Sequence, residues 1–249
     1  MTEIELMMHL HLNNKRQGPG SEEATNLALN LAGVDKQKKY KIADIGCGTG
    51  AQTLTLAKAL QGEIVAVDLF DEFLKKLEER FEKEEVVASV RTLSASMDSL
   101  PFTEEEFDMI WSEGAVYNMG FENGVNYWKG FLKKGGILAV SELSWLTGKR
   151  PSELEEFWVG EYAEMAPVSE KIRILENAGY KVLGHFILSD ECWLENYYNP
   201  LLASHAGFLS QYGDMEAARQ IVETDRSEVA FYQKYKDYYS YGFYIAQKL

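Results

Sequence analysis

Basic residues are scarce in this 249-residue chain: 25 Lys and Arg stand against 39 Asp and Glu, a formal net charge of -14. So acidic a surface repels phosphate backbones and anionic headgroups, which argues against nucleic acid and membrane as partners. The short run KQKK at 36–39 does not reverse that balance and reads as a solvated loop. Only two cysteines occur, Cys47 and Cys192. They fit neither a disulfide framework nor a metal spacing, so both read as reduced thiols. Histidines number four. His9 and His11 have no third ligand within sequence reach and read as helix-face residues, so no metal is expected. His185 reads as a core histidine and His205 as surface or pocket. No stretch reaches the ~18 apolar residues of a membrane span. The N-terminus has acids where a signal peptide needs bases, so a cytoplasmic protein is expected. Internal repeats and low-complexity segments are absent.

What the chain has is material for a core: 46% hydrophobic and 12% aromatic residues. Residues 21–33 read as a helix, capped by Ser21, with Ala24, Leu27 and Leu31 on one face and Gly33 as its stop. An apolar strand, YKIADIG, leads into a glycine turn. The helix AQTLTLAKAL follows, closed by Gly62. EIVAVDLF is a second strand. DEFLKKLEERFEKE is an amphipathic helix with Phe73, Leu74, Leu77 and Phe81 inward. VASVRTLSAS and FDMIWSEG are strands three and four. GVNYWKGFLKKGG is a helix ending at its two glycines, and ILAVSELSW is strand five. Residues 151–178 read as helical, YKVLGHFIL as strand six, and YYSYGFYIAQKL as the last strand. A helical, aromatic-rich insertion over about 190–238 separates the last two strands, and its tyrosines at 232, 235, 238 and 239 read as packing.

Alternation of strand and helix predicts an α/β fold with a doubly wound, mostly parallel sheet. Ligands of such sheets bind beyond the carboxyl ends of the strands. Asp44, Asp68, Ser96, Ser112, Glu113 and Glu142 all fall at predicted strand ends and mark one rim as the chemical one. On that rim lies IADIGCGTG, residues 42–50. Gly46, Gly48 and Ala51 satisfy a dinucleotide fingerprint, and Asp68, 22 positions after Gly46, satisfies its acidic ribose partner. Charge argues otherwise. Asp44, two residues before the first glycine, opposes a pyrophosphate and suits a ligand with a positive ammonium and no phosphate.

ADIGCGTG resembles motif I of class I S-adenosylmethionine (SAM)-dependent methyltransferases. Asp68 in VAVDLF is similar to the acid that holds the ribose hydroxyls. SASMDSLPF resembles the D-A-x-x-L-P-F segment of small-molecule C- and O-methyltransferases of the ubiquinone/menaquinone type, FDMIWSEGAVY the fourth-strand motif, and LKKGGILAVSE the stretch into strand five. The resemblance spans residues 40–145 in order. It implies one methyltransferase domain over 1–249: a helical cap over 1–35, a SAM-binding core over 36–148, and a C-terminal half over 149–249 carrying the substrate-covering insertion. It also implies a Rossmann-like sheet of seven strands with the last one antiparallel.

By that resemblance SAM is the cofactor, and its expected contacts are Asp44, Gly46, Cys47, Gly48, Gly50, Gln52, Asp68, Leu69, Phe73, Ser96, Met97, Asp98, Ser112 and Glu113. Ser96 stands where the family has an acid for the adenine amino group; it accepts more weakly, and Asp98 is the alternative if the loop shifts. Arg16, Gln17 and Gly18 lie in a polar loop that reads either as a lid on the methionine end of SAM or as a surface linker. Glu113 and Tyr117 are the expected catalytic pair, Glu113 as general base or, alternatively, as the residue that orders the loop or binds the donor's ammonium. The acceptor is expected to be a small molecule, and a homodimer is left open. An NAD-dependent oxidoreductase and a non-catalytic SAM-binding protein are the rival readings.

Overall fold

The computed structural model describes residues 1–249. Two helices lead the chain, α1 (Glu3–His11) and α2 (Glu22–Leu31). Ser21 caps α2 by accepting from the Ala24 N–H at 3.0 Å. The inward face of α2 is Ala24, Thr25, Ala28 and Leu29, while Leu27 is 43% exposed. The predicted Ala24–Leu27–Leu31 face is thereby corrected. Small residues let α2 lie close on its neighbours, and Leu31 instead folds over Gly184, where a Cβ would stand 3.3 Å from its Cδ2.

Strand β1 (Lys39–Ile45), helix α3 (Ala51–Ala59), strand β2 (Gln61–Asp68), helix α4 (Asp71–Phe81) and strand β3 (Ser89–Ser94) form one half of the sheet. Helix α3 ends before Gly62, which lies inside β2 at φ 116°. A Cβ there would fall 2.1 Å from the Tyr40 carbonyl oxygen of the paired strand, so the glycine serves strand pairing and not helix closure. The chain continues through β4 (Phe107–Glu113), α5 (Phe121–Lys129) and β5 (Leu132–Trp145). Here too the expected boundary moves. Phe107 pairs with Leu132 and Met109 with Ile137, so Lys133–Gly136 form a bulge within β5 and not a helix end. Glu142 consequently lies inside β5, not at its end.

Helix α6 (Ser152–Glu161), a two-residue strand β6 (Ala166–Pro167), α7 (Val168–Asn177) and strand β7 (Tyr180–Ile187) follow. The insertion contains α8 (Asp190–Trp193), a π-helical turn (Leu194–Tyr198), α9 (Asn199–Tyr212) and α10 (Glu216–Tyr235), before β8 (Tyr239–Lys248) closes the sheet. The order is β3-β2-β1-β4-β5-β8-β7, with β6 beside β5. The seven long strands match the expected number, and β6 adds a short eighth. Only β8 runs antiparallel to its neighbours β5 and β7. His185 is exposed, not in the core as expected, because β7 is an edge strand.

The sheet separates two cores. Ile42, Met109, Trp111 and Phe243 pack under α2, α3 and the insertion. Ala43, Ile110, Val140 and Tyr244 pack under α5 and α7. Trp193 of the insertion stacks on Tyr232 at 4.4 Å and on Tyr241 at 5.2 Å. Full burial of one such ring contributes about 2–3 kcal/mol, which fixes the insertion to the sheet.

Candidate active site

Strand β1 ends in a turn that only glycines fit. Gly46, Gly48 and Gly50 have φ of 74°, 55° and 84°, conformations that L side chains rarely adopt. A Cβ on Gly46 would lie 2.4 Å from Ala115 Cβ, and one on Gly48 would lie 2.3 Å from Gln17 Oε1. The Gly46 and Cys47 N–H groups both donate to the Val67 carbonyl of β2. The turn is thus anchored to the neighbouring strand, and α3 starts directly beyond it.

Two carboxyls flank this turn. Asp44 is fully buried and accepts from Thr53 Oγ1 at 2.6 Å and from Gln52 Nε2 at 3.4 Å. Burial pushes its pKa up to about 7, helped by the charges of Glu113 and Asp68, although the two hydrogen bonds pull the other way. Asp68 accepts from the Gly48 N–H at 2.8 Å and the Phe70 N–H at 3.1 Å. Burial raises its pKa as well. Each Asp68 oxygen accepts one backbone N–H and keeps a second lone pair for a ligand hydroxyl. Of the neighbours expected to touch the cofactor, Phe73 is buried and Leu69 is 61% exposed. Met97 brings its Cε to 3.7 Å from the Gly46 Cβ position, and its carbonyl accepts from Trp128 Nε1 at 3.0 Å. Ser96 is half-buried and Asp98 exposed. Ser112 is buried, and its hydroxyl has no hydrogen-bond partner.

The N-terminal segment is packed onto the glycine turn and is not a surface linker. Gln17 Oε1 accepts from the Thr49 N–H at 2.8 Å, and its Nε2 donates to the His11 and Asn14 carbonyls and to Thr49 Oγ1. Gly18, half-buried, has open space where a Cβ would be. Arg16 turns to Glu113, Nη1 to Oε2 at 3.0 Å, with side chains 8% and 4% exposed. Glu113 Oε1 also accepts from Thr25 Oγ1 at 2.7 Å and Trp111 Nε1 at 2.9 Å. Glu113 thus has three donors within the protein, and the Arg16 guanidinium already has a carboxylate partner. The pair joins the N-terminal segment to the end of β4, an arrangement compatible with the loop-ordering alternative for Glu113. Tyr117 follows β4 on a 3-10 turn, Val116–Asn118. The residue is 41% exposed, yet its hydroxyl end is enclosed, which raises its pKa, and Glu228 and Glu142 are the nearby charges.

Residues outside the expected site occupy the other side of the mouth. Glu142 of β5 is fully buried, and neither of its oxygens has a hydrogen-bond partner. Lys171 Nζ stands 3.8 Å from its Oε1, also fully buried. That amine donates to the Glu164 carbonyl at 2.9 Å and lies 4.7 Å from the Phe121 ring centre. Burial pushes Glu142 up to about 7, against the pull of Lys171, and lowers Lys171. The Tyr162 hydroxyl beside them is also buried and unpartnered. Glu142 sat among the predicted rim residues, but nothing in the sequence distinguished it from Ser112. Lys171 and Tyr162 gave no signal, because they reach the site only through the packing of α7 and of the loop after α6 on β5.

Comparison with known proteins agrees with this geometry. Residues 42–136 match a family model described as a methyltransferase domain. A ubiquinone/menaquinone biosynthesis C-methyltransferase of Azotobacter vinelandii is 31% identical over 119 residues, 47% of this chain and 46% of that protein. The matched region thus spans about half the length of such curated relatives. A SAM-dependent methyltransferase from Geobacter sulfurreducens, solved with S-adenosyl-L-homocysteine, superposes with a TM-score of 0.85 at 15% identity over 98% of both chains. One from Thiobacillus denitrificans, solved with the same ligand, gives 0.82 at 16% identity over 100% of this chain and 99% of that one. At those identities the superpositions show a common fold, insertion included. No helix is long and apolar enough to cross a membrane.

Proposed function

We propose that this protein, whose residues 42–136 match a methyltransferase domain and whose sequence resembles class I SAM-dependent enzymes, transfers the methyl group of SAM to a small-molecule acceptor. The observation that carries this reading is the pair of carboxyls on the glycine turn. Asp44 is fully buried at the mouth of β1 and Asp68 half-buried at that of β2; Asp68 suits a ribose, and a carboxyl at Asp44, beside the turn, disfavours a pyrophosphate and favours a ligand carrying ammonium and sulfonium groups. The residues fit that cofactor. Asp68 retains lone pairs for ribose hydroxyls, the turn admits close backbone approach, and Met97 with residues 96–98 faces the adenine position. Gln17 and Thr49 close the methionine end, with the Arg16–Glu113 latch holding Gln17 in place.

SAM supplies an electrophilic methyl on a positive sulfur. The chain's contribution is alignment and exclusion of water. Held in line, the acceptor atom reacts as if intramolecular. The dry, fixed dipoles around the rim favour a transition state in which the positive charge disperses. Glu113 is not needed as a base in this scheme, since both of its oxygens are engaged by donors of the protein.

Calorimetry with SAM and, separately, NADH tests the donor assignment: SAM is expected to bind and NADH not. Incubation with methyl-labelled SAM and an acceptor panel then tests transfer. Binding of NADH in place of SAM defeats the proposal. SAM binding with no labelled product from any acceptor points to a non-catalytic SAM-binding protein.

A further inference from the structure

We infer that residues 14–20 form a strap that gates the methionine end of the donor site and holds the helical insertion to it, with the Arg16–Glu113 pair as its catch. This rests on the methyltransferase reading above. The first observation is what the strap covers. Gly48, Thr49 and Gly50 of the turn are buried. Gln17 Oε1 accepts from the Thr49 N–H at 2.8 Å, and Thr49 Oγ1 donates to the Asn14 and Lys15 carbonyls at 3.2 and 3.3 Å. Arg80 Nη1 of α4 adds a bond to the Lys15 carbonyl at 3.2 Å. The ribose end is open by contrast, with Leu69 61% exposed and Asp98 exposed. A nucleoside alone reaches Asp68 with the strap shut. A ligand that also lays an amino-acid chain along the turn needs the strap to lift.

The second observation is where the strap is fastened. The Gly20 N–H donates to the Cys192 carbonyl at 3.3 Å, and the Gly20 carbonyl accepts from Asn196 Nδ2 at 3.1 Å. Cys192 lies in α8 and Asn196 in the π-helical turn beyond it; such turns are frequent at functional sites. Gln17 Nε2 donates to the His11 carbonyl at 3.2 Å, and the His11 ring stacks on Tyr197 of that same turn, centres 6.3 Å apart. The strap cannot leave the glycine turn without releasing the π-helical turn as well.

The third observation is the geometry of the catch. Arg16 and Glu113 are 3.0 Å apart with side chains 8% and 4% exposed. Gly20 packs directly on them: a Cβ there would lie 2.5 Å from Arg16 Nη1 and 3.2 Å from Glu113 Oε2. Its φ is not positive, so the backbone accepts alanine. What the missing side chain provides is room for the ion pair. The catch is a bond within the protein, so it sets how often the strap opens and not how tightly a ligand is held.

The test uses the full chain with two ligands: S-adenosylhomocysteine, and methylthioadenosine, which keeps the nucleoside and the sulfur but lacks the amino-acid end. Stopped-flow fluorescence follows binding, with Trp111, whose Nε1 donates to Glu113, as a reporter beside the catch. Gly20→Ala should speed both association and release of S-adenosylhomocysteine about 10-fold, the scale of one charge-assisted hydrogen bond. Its Kd should stay nearly unchanged, and so should both rates for methylthioadenosine. Unchanged rates overturn the gate. Faster release alone, with Kd weakened in step, makes Arg16 a ligand contact and also overturns it, as does equal acceleration of both ligands. Hydrogen exchange tests the tie to the insertion and begins with the wild type: S-adenosylhomocysteine should protect residues 14–20 and 192–199 together. Asn196→Ala should keep the first protection and reduce the second. Protection confined to 14–20 in the wild type, or undiminished at 192–199 in Asn196→Ala, overturns the tie. Failure of the wild type to bind either ligand overturns the donor reading instead.

Discussion

The two sides of the mouth are built on opposite principles. On the β1–β2 side every carboxyl is partnered by the protein: Asp44 by Thr53 and Gln52, Asp68 by two backbone N–H groups. On the β5 side Glu142 is equally buried, with Lys171 at 3.8 Å and the Tyr162 hydroxyl beside it as its nearest partners, neither within full hydrogen-bonding geometry. Internal partners make a rigid surface that presents fixed lone pairs, as recognition of one invariant cofactor requires. Between the two sides, the Arg16–Glu113 pair joins the N-terminal segment to the exit of β4.

The sharpest way to break this contrast is to remove that joint. Arg16→Met leaves Glu113 buried with neutral donors alone. Loss of one partner of a buried ion pair costs about 3–5 kcal/mol, so urea unfolding should show a drop of that order, with protease cleavage appearing near residues 12–20. Wild-type stability in this variant would mean the pair is incidental. Next in size is the turn. Gly46→Ala places a methyl 2.4 Å from Ala115 Cβ at φ 74°. Overpacking and backbone strain together cost about 3 kcal/mol, seen in the same denaturation experiment, and SAM affinity should fall with it. Asp68→Ala tests the cofactor side alone. Removing an ionised acceptor weakens binding by about 1.5–3 kcal/mol, or roughly 10- to 150-fold in Kd. Calorimetry that finds unchanged affinity in a folded variant removes Asp68 from the ribose.

The last effect concerns protons and is read as a slope with pH. Asp44 has its folded pKa raised to about 7 from 3.8. Between those values the folded state keeps a proton that the unfolded chain has released, so stability is greatest at low pH and declines as pH rises through about 7. One such group contributes a slope of up to about 1.4 kcal/mol per pH unit. Asp44→Asn should flatten the fall in melting temperature between pH 4.5 and 7.5 relative to the wild type. Parallel curves would show that Asp44 is already ionised in the folded protein.

Sequence by itself determined the donor half. Three glycines at alternating positions, an acid before them and another 22 residues after the first are local in the chain, and a turn with positive φ is dictated by its own residues. Continuous apolar runs ending in polar residues likewise specify parallel strands and one chemical rim. Tertiary structure decided the rest. Arg16 and Glu113 meet across 97 positions of sequence, and periodicity carries no information about such a pairing. Gly62 and the glycines of the Lys133–Gly136 bulge read locally as helix ends, because a glycine's role depends on the strand beside it and not on its own neighbours. Glu142 and Lys171 come from β5 and α7, and each reads locally as an ordinary charged residue. Burial alone changes their chemistry, and burial is a property of the packed molecule: the energy of a charge depends on what surrounds it in space.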